Sequence, residues 1–211
     1  MLPLARPGGV AKALVPLLLS GVLVSAVWAL SRQGNRALLA LALVLCLPAI
    51  GLRWAGLALE TPASLTILQL AAEIAFLGLT TLCVLWLVLR SEEVTPDTLC
   101  GGVAVYLLFG FAFADLYQLL ALLEPQAFRP PLQDPVDGIY FSFVTLTTLG
   151  YGDVVPVSRP ARGYALIEAL IAQVYLAILV ARLVGQHLAS HDAATSSLPE
   201  DAPPGAKEAV E

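Results

Sequence analysis

The stretch Thr147-Thr148-Leu149-Gly150-Tyr151-Gly152-Asp153 decides how the chain is read. Consecutive backbone carbonyls point to one side only when the backbone alternates between conformations that ordinary L-residues resist. Gly150 and Gly152 lack a Cβ and enter φ > 0 at little steric cost. They allow the carbonyls of Thr148, Leu149, Gly150 and Tyr151 to face one axis, where such oxygens can replace the water around a cation. The Thr148 hydroxyl adds one oxygen at the inner end. Uncharged oxygens suit a weakly hydrated monovalent ion, whereas a ring of carboxylates would suit a divalent one better.

Upstream, residues 124–136 are rich in proline and polar groups and read as an exposed loop. Asp137 to Leu149 is apolar but too short to cross a bilayer, which takes about 20 residues. A helix that enters and turns back fits. Irregular backbone at that depth is tolerated only where protein buries it or it lines a water-filled path. Asp137 or Asp134 can cap the helix. Its C-terminal end would then point towards the middle of the membrane, where the negative end of the dipole stabilises a cation. Tyr140, Phe141 and Phe143 give the helix a bulky side that wedges against its neighbours.

The rest of the chain supports a membrane setting. Of 211 residues, 58% are hydrophobic and 13% charged, and mean hydropathy is +0.83. Soluble domains carry about 25% charged residues, so an ordinary soluble enzyme and a disordered chain are both excluded. Five spans are expected, at 13–30, 37–52, 65–89, 99–123 and 163–188. The first resembles a signal peptide, with Arg6 and Lys12 before its apolar run, but reads better as an uncleaved anchor. From Ser190 the chain is polar and reads as a disordered tail. Asp192, Glu200, Asp201, Glu208 and Glu211 against Lys207 alone carry most of the formal charge of −5. No basic surface suggests nucleic acid, and no small-molecule substrate is evident. Cys46, Cys83 and Cys100 lie in or beside apolar runs without metal-ligand spacing and read as small apolar fillers.

The run TTLGYGD, behind a short aromatic helix and between two apolar spans, resembles the selectivity-filter signature of potassium channels. The match covers residues 99–188. The resemblance implies an all-α membrane protein with about five transmembrane helices, a re-entrant pore helix and a filter loop. It implies a filter of Thr148, Leu149, Gly150, Tyr151 and Gly152, with K+ held at Thr148, Leu149, Gly150 and Tyr151. Asp153 sits at the outer mouth. It also implies a homotetramer with the filter facing outside. A tetramer follows from the residues as well, because one chain supplies a single wall of the ring. No cofactor is expected beyond the permeant ion. Two features depart from the family. Leu149 stands where Val or Ile is usual, and Val144 where some members carry a Glu that pairs with the filter Asp. Tyr140 is the expected partner of Asp153 instead.

The organisation expected is therefore N-terminal membrane helices over 1–90, a pore domain over 91–189 and an acidic cytoplasmic tail over 190–211. Charge-driven voltage sensing needs several bases in one span. The third span has only Glu73, so voltage dependence should be weak. The last span has no glycine before Gly185, so a hinge lacks its usual residue. Gln173, with Ala172 beside it, is a candidate for the cavity or gate; a hydrogen bond to another helix is an equal alternative for Gln173. Asp115 and Glu168, acids within apolar spans, are functional candidates by default but read better as structural hydrogen-bond partners of pore-helix Thr or Tyr groups. Glu73 is left between a pairing with Arg53 and the outer interface. His187 and His191 are spaced for one helix face but read as solvated rather than metal-binding. The chain is expected in the cell (inner) membrane, multi-pass, with a cytoplasmic C-terminus. Counting back puts the N-terminus outside, against the distribution of bases; either one early span does not cross or a first helix is missing, which a start site too far downstream would explain. A secondary transporter and a non-conducting sensor that keeps the pore fold are the rivals. No catalytic cluster stands out.

Overall fold

The computed structural model describes residues 62–91 and 95–196 continuously, with single positions between 17 and 54, and side chains as far as Gly185. The expected span at 13–30 lies largely outside the described residues, and the one at 37–52 lies partly outside them. The tail beyond Ser196, the side chains of His187 and His191, and Arg53 also lie outside them. The described positions within those two early spans are helical.

Among the continuously described residues, four helices and a two-stranded antiparallel sheet follow: α1 (Ala63–Arg90), α2 (Pro96–Leu123), β1 (Phe128–Arg129), α3 (Pro135–Leu146), β2 (Val155–Pro156) and α4 (Arg159–Ser196). Among the described residues, three helices are long and apolar enough to cross a bilayer: Ala63–Arg90, Thr98–Leu123 and Arg159–Gly185. The last helix starts before residue 163 and continues through Ser196, so the stretch from Ser190 to Ser196 is helical rather than part of a disordered tail.

Each helix settles its own polar groups. Thr95 caps α2, its hydroxyl accepting from the Thr98 amide at 3.2 Å, with Pro96 in the first turn, where its missing N–H costs nothing. Within α1, the buried Thr80 and Thr81 hydroxyls donate to the carbonyls of Phe76 and Leu77 one turn back. That is how a hydroxyl is satisfied where water is absent. Glu73 is buried and accepts from Gln69 at 3.1 Å. Cys46 packs against Phe76, Leu77 and Leu108, joining the N-terminal region to α1 and α2.

The helix α3 runs antiparallel to α2 and stops halfway along it. Gly138 lies against Gln118 and Ala114, the Ser142 hydroxyl donates to the Gly110 carbonyl at 2.8 Å, and the Tyr106 hydroxyl donates to the Leu146 carbonyl at 3.0 Å. Four residues forward on α3 thus match about four back on α2, one turn against one turn. Close approach needs the glycine on α2: a β-carbon on Gly110 would meet the Phe143 ring at 2.7 Å.

The last helix, α4, returns along α2 through a stripe spaced seven residues apart, two helical turns. Ala161 packs with Tyr117 and Phe128, Glu168 meets Tyr117, the Tyr175 hydroxyl donates to the Gly102 carbonyl at 2.6 Å, and Arg182 donates to the Ser91 carbonyl. At the end that carries the two-stranded sheet, Tyr117, Phe128 and Phe141 stack edge to face, with centroids 4.9 to 5.6 Å apart. Edge-to-face rings are the favourable geometry and add about 0.5–1.5 kcal/mol per pair beyond burial. One ring comes from each of α2, β1 and α3, so the cluster fixes where α3 begins.

Overpacking supplies a test. Gly110→Ala should force the Phe143 ring aside and destabilise the protein by about 1–3 kcal/mol, seen as a lower midpoint of thermal unfolding in detergent. An unchanged midpoint would show that α3 does not depend on this close approach.

Candidate functional site

The segment after α3 is built from its first residue onward by the end of that helix. Asp134 caps α3, accepting from the Val136 amide at 2.9 Å and the Asp137 amide at 3.2 Å, while the Asp137 carboxylate reaches back to the Gln133 and Asp134 amides. This reciprocal box satisfies orphan donors at the helix start. It also uses both of the aspartates that the sequence offered as alternatives.

At the other end, helix carbonyls that would lack partners hold the exit. The Thr145 carbonyl accepts from the Thr148 amide at 3.0 Å, and the Val144 carbonyl from the amides of Leu149 and Gly150 at 3.0 and 3.3 Å. Three successive amides of the segment are thus tied to α3.

The backbone then alternates. Thr148, Gly150 and Gly152 have φ of 60°, 55° and 76°, whereas no positive φ occurs at Leu149 or Tyr151. Every second residue is left-handed. The two glycines carry this at little cost. Thr148 does not, since a β-branched residue with positive φ is strained by about 1–2 kcal/mol. The Thr148 conformation was not legible in the sequence. Its only local signal is its register, two residues before Gly150 in the same alternation. Leu149 and Tyr151 are 58% and 66% exposed in the single chain.

Downstream, the Tyr140 hydroxyl donates to Asp153 Oδ2 at 2.6 Å, and Asp153 Oδ1 accepts from the Val154 amide at 3.0 Å. The tyrosine bond is the chief reason the Asp153 carboxyl is held below its usual range. The same bond is the first cause that pushes the Tyr140 hydroxyl up to about 12. Both groups lie at the surface of the chain.

Other candidates are placed apart from this segment. Ala172 is fully buried against the chain's own helices, which removes it from any surface lining a path; its neighbour Gln173 is exposed. Glu168 is fully buried and accepts from Tyr117 on α2 and meets Ser142 on α3, serine rather than threonine or tyrosine being the α3 partner. Asp115 is buried too. Among the described residues no cluster of three His, Cys, Asp or Glu could hold a metal.

A family model described as "Ion channel" matches residues 99–186. Voltage-gated potassium channel Kch of Escherichia coli (strain K12) is 35% identical over 77 residues, 36% of this chain and 18% of that protein. Protein LctB of Bacillus caldotenax is 31% identical over 102 residues, covering 44% of this chain and 75% of that one. Protein LctB of Geobacillus stearothermophilus is 30% identical over 128 residues, 53% and 95% respectively.

The chain belongs to the ion channel family.

It is a multi-pass membrane protein and a channel protein rather than an enzyme. It spans less than a fifth of Kch but most of either LctB. No solved structure matches.

The Tyr140–Asp153 bond should hold across neutral pH. A carboxyl with a depressed pKa contributes above its ordinary range and loses the contribution as pH falls through the depressed value. The phenol keeps its proton until pH nears 12. Tyr140→Phe should return the Asp153 titration, followed by carboxyl NMR shifts, upward to the ordinary carboxylate range. An unmoved titration would remove Tyr140 as the group that holds Asp153.

Proposed function

We propose that the chain conducts K+ passively and selectively, as a homotetramer in the cell membrane. The left-handed φ values at Thr148, Gly150 and Gly152 carry this reading. Alternating handedness turns the carbonyls of Thr148, Leu149, Gly150 and Tyr151 to a common side, where four copies form stacked oxygen rings. Such rings replace the hydration shell of a weakly hydrated monovalent cation. Gly152 completes the filter and Asp153 stands at its outer mouth, facing outside, with the C-terminus cytoplasmic. No cofactor enters beyond the K+ that passes.

Assembly is supported by what one chain leaves uncovered. Only 11% of the apolar window of α4 is buried, against 33% for each of α1 and α2. Leu166, Leu170, Val174 and Ile178 on α4 are exposed together with Leu149 and Tyr151. A single filter segment is one wall, and cyclic symmetry is the usual way to close a ring from identical walls. Gln173, exposed on α4, lines the cavity below the filter. Kch, similar to 36% of this chain, is by its name a potassium channel.

Purified protein in liposomes decides the reading. K+ efflux driven by a gradient should be fast, with Na+ excluded. Gly152→Ala should abolish that flux, since a side chain at φ 76° costs about 1–2 kcal/mol at each of four copies. Equal passage of Na+ and K+ would overturn K+ selectivity, and no flux of either would favour a non-conducting sensor.

A further inference from the structure

Three helices meet at one buried point behind the filter. Glu168 of α4 and Ser142 of α3 are both fully buried, with Tyr117 of α2 beside them. The Tyr117 hydroxyl lies 2.6 Å from Glu168 Oε2, Glu168 Oε1 lies 2.5 Å from Ser142 Oγ, and Ser142 Oγ lies 2.8 Å from the Gly110 carbonyl oxygen.

These distances set a proton count. A serine or tyrosine hydroxyl has one proton to donate, and a backbone carbonyl has none. With Glu168 ionised, Tyr117 donates to Oε2 and Ser142 must serve two acceptors, Oε1 and the Gly110 carbonyl, with one proton. One of the two contacts is then oxygen against oxygen with no hydrogen between. With Glu168 protonated on Oε1 the count closes. Tyr117 donates to Oε2, Oε1–H donates to Ser142 Oγ, and Ser142 donates to Gly110. Among the described residues no basic side chain pairs with Glu168 to hold it ionised, and an unpaired buried charge costs several kcal/mol.

We infer that Glu168 is a neutral carboxylic acid whose proton closes a chain from Tyr117 through Ser142 to Gly110, and that it is the positioning residue that sets α3, and so the filter, against α4. Ser142 lies one turn before Leu146, and the carbonyls of Val144 and Thr145 between them hold the filter amides. A displacement of α4 at Glu168 therefore reaches Thr148, Leu149 and Gly150 through one rigid helix turn. The assignment of the proton stands on geometry alone; its effect on the filter rests on the function proposed above.

Infrared difference spectra of the assembled protein at neutral pH, wild type minus Glu168→Gln, test the proton. The C=O stretch of a protonated carboxyl should be present in the wild type and lost in Glu168→Gln, and Glu168→Asp should shift this band instead of deleting it. A difference confined to carboxylate bands would overturn the inference. Flux tests the positioning. Ser142→Ala should lower the K+ over Na+ flux ratio about tenfold, within the cost of orphaning a buried hydrogen-bond partner. Glu168→Gln should keep the ratio, because its amide donates to Ser142 and its carbonyl accepts from Tyr117. Loss of selectivity in Glu168→Gln equal to that in Ser142→Ala would overturn the neutral joint. If the wild type passed no K+, the channel reading would fall and the infrared result would still decide the proton. The infrared comparison needs no Ser142 variant, so it decides even where Ser142→Ala does not assemble.

Discussion

Everything in the pore half of the chain serves a backbone that changes hand at every second residue. Left-handed conformations at Thr148, Gly150 and Gly152 are unfavourable or neutral in isolation and do not persist in a free loop. They persist here because the segment is held at both ends. The last turn of α3 takes up three consecutive amides through the carbonyls of Val144 and Thr145, and beyond Gly152 the Asp153 carboxylate is held by Tyr140. Both anchors come from the same twelve-residue helix. The helix is thus a rigid clamp, and its placement sets the geometry of the segment that follows.

That placement comes from packing of a kind that a bilayer allows. Hydrocarbon gives helices no hydrophobic reason to associate, so close approach, ring stacking and satisfied polar groups must do it. Gly110 and Gly138 let α3 and α2 come close, the trio Tyr117, Phe128 and Phe141 fixes the end where α3 begins, and Tyr106 holds the Leu146 carbonyl at the end where it stops. The contacts along α4 recur every seven residues at Ala161, Glu168 and Tyr175. Most of the remaining surface of α4 is apolar and exposed in one chain, which is what a subunit of a larger ring would leave for its neighbours.

Local features were legible in the sequence. Two alternating glycines need positive φ, an aspartate before Pro135 is a helix cap, and Tyr140 stands 13 residues before Asp153 with a hydroxyl to offer. What was hidden depends on distant partners. Only its register with Gly150 says that the β-branched Thr148 joins the left-handed series; the helix carbonyls that impose it are felt only once α3 is in place. Ala172 and Gln173 are adjacent, so a list of apolar and polar residues cannot say which faces inward. The heptad stripe settles it, and Ala172 falls on the buried side. The partner of Glu168 was expected on α3, but Ser142 is small and polar within an aromatic helix and attracts no notice until Gly110 and Tyr117 surround it. The polar composition from Ser190 hides the end of α4, because a long helix can leave the bilayer and continue in water.

Whether main-chain oxygens stand in for the water around an alkali ion is a question diffraction answers directly. The assembled protein, solved with rubidium in place of potassium and its anomalous signal mapped, should show ions in single file on a fourfold axis. The carbonyls of Thr148, Leu149, Gly150 and Tyr151 should surround them. Rubidium absent from that axis, or Thr148 to Gly152 lying away from any symmetry axis, would contradict the carbonyl-lined pore.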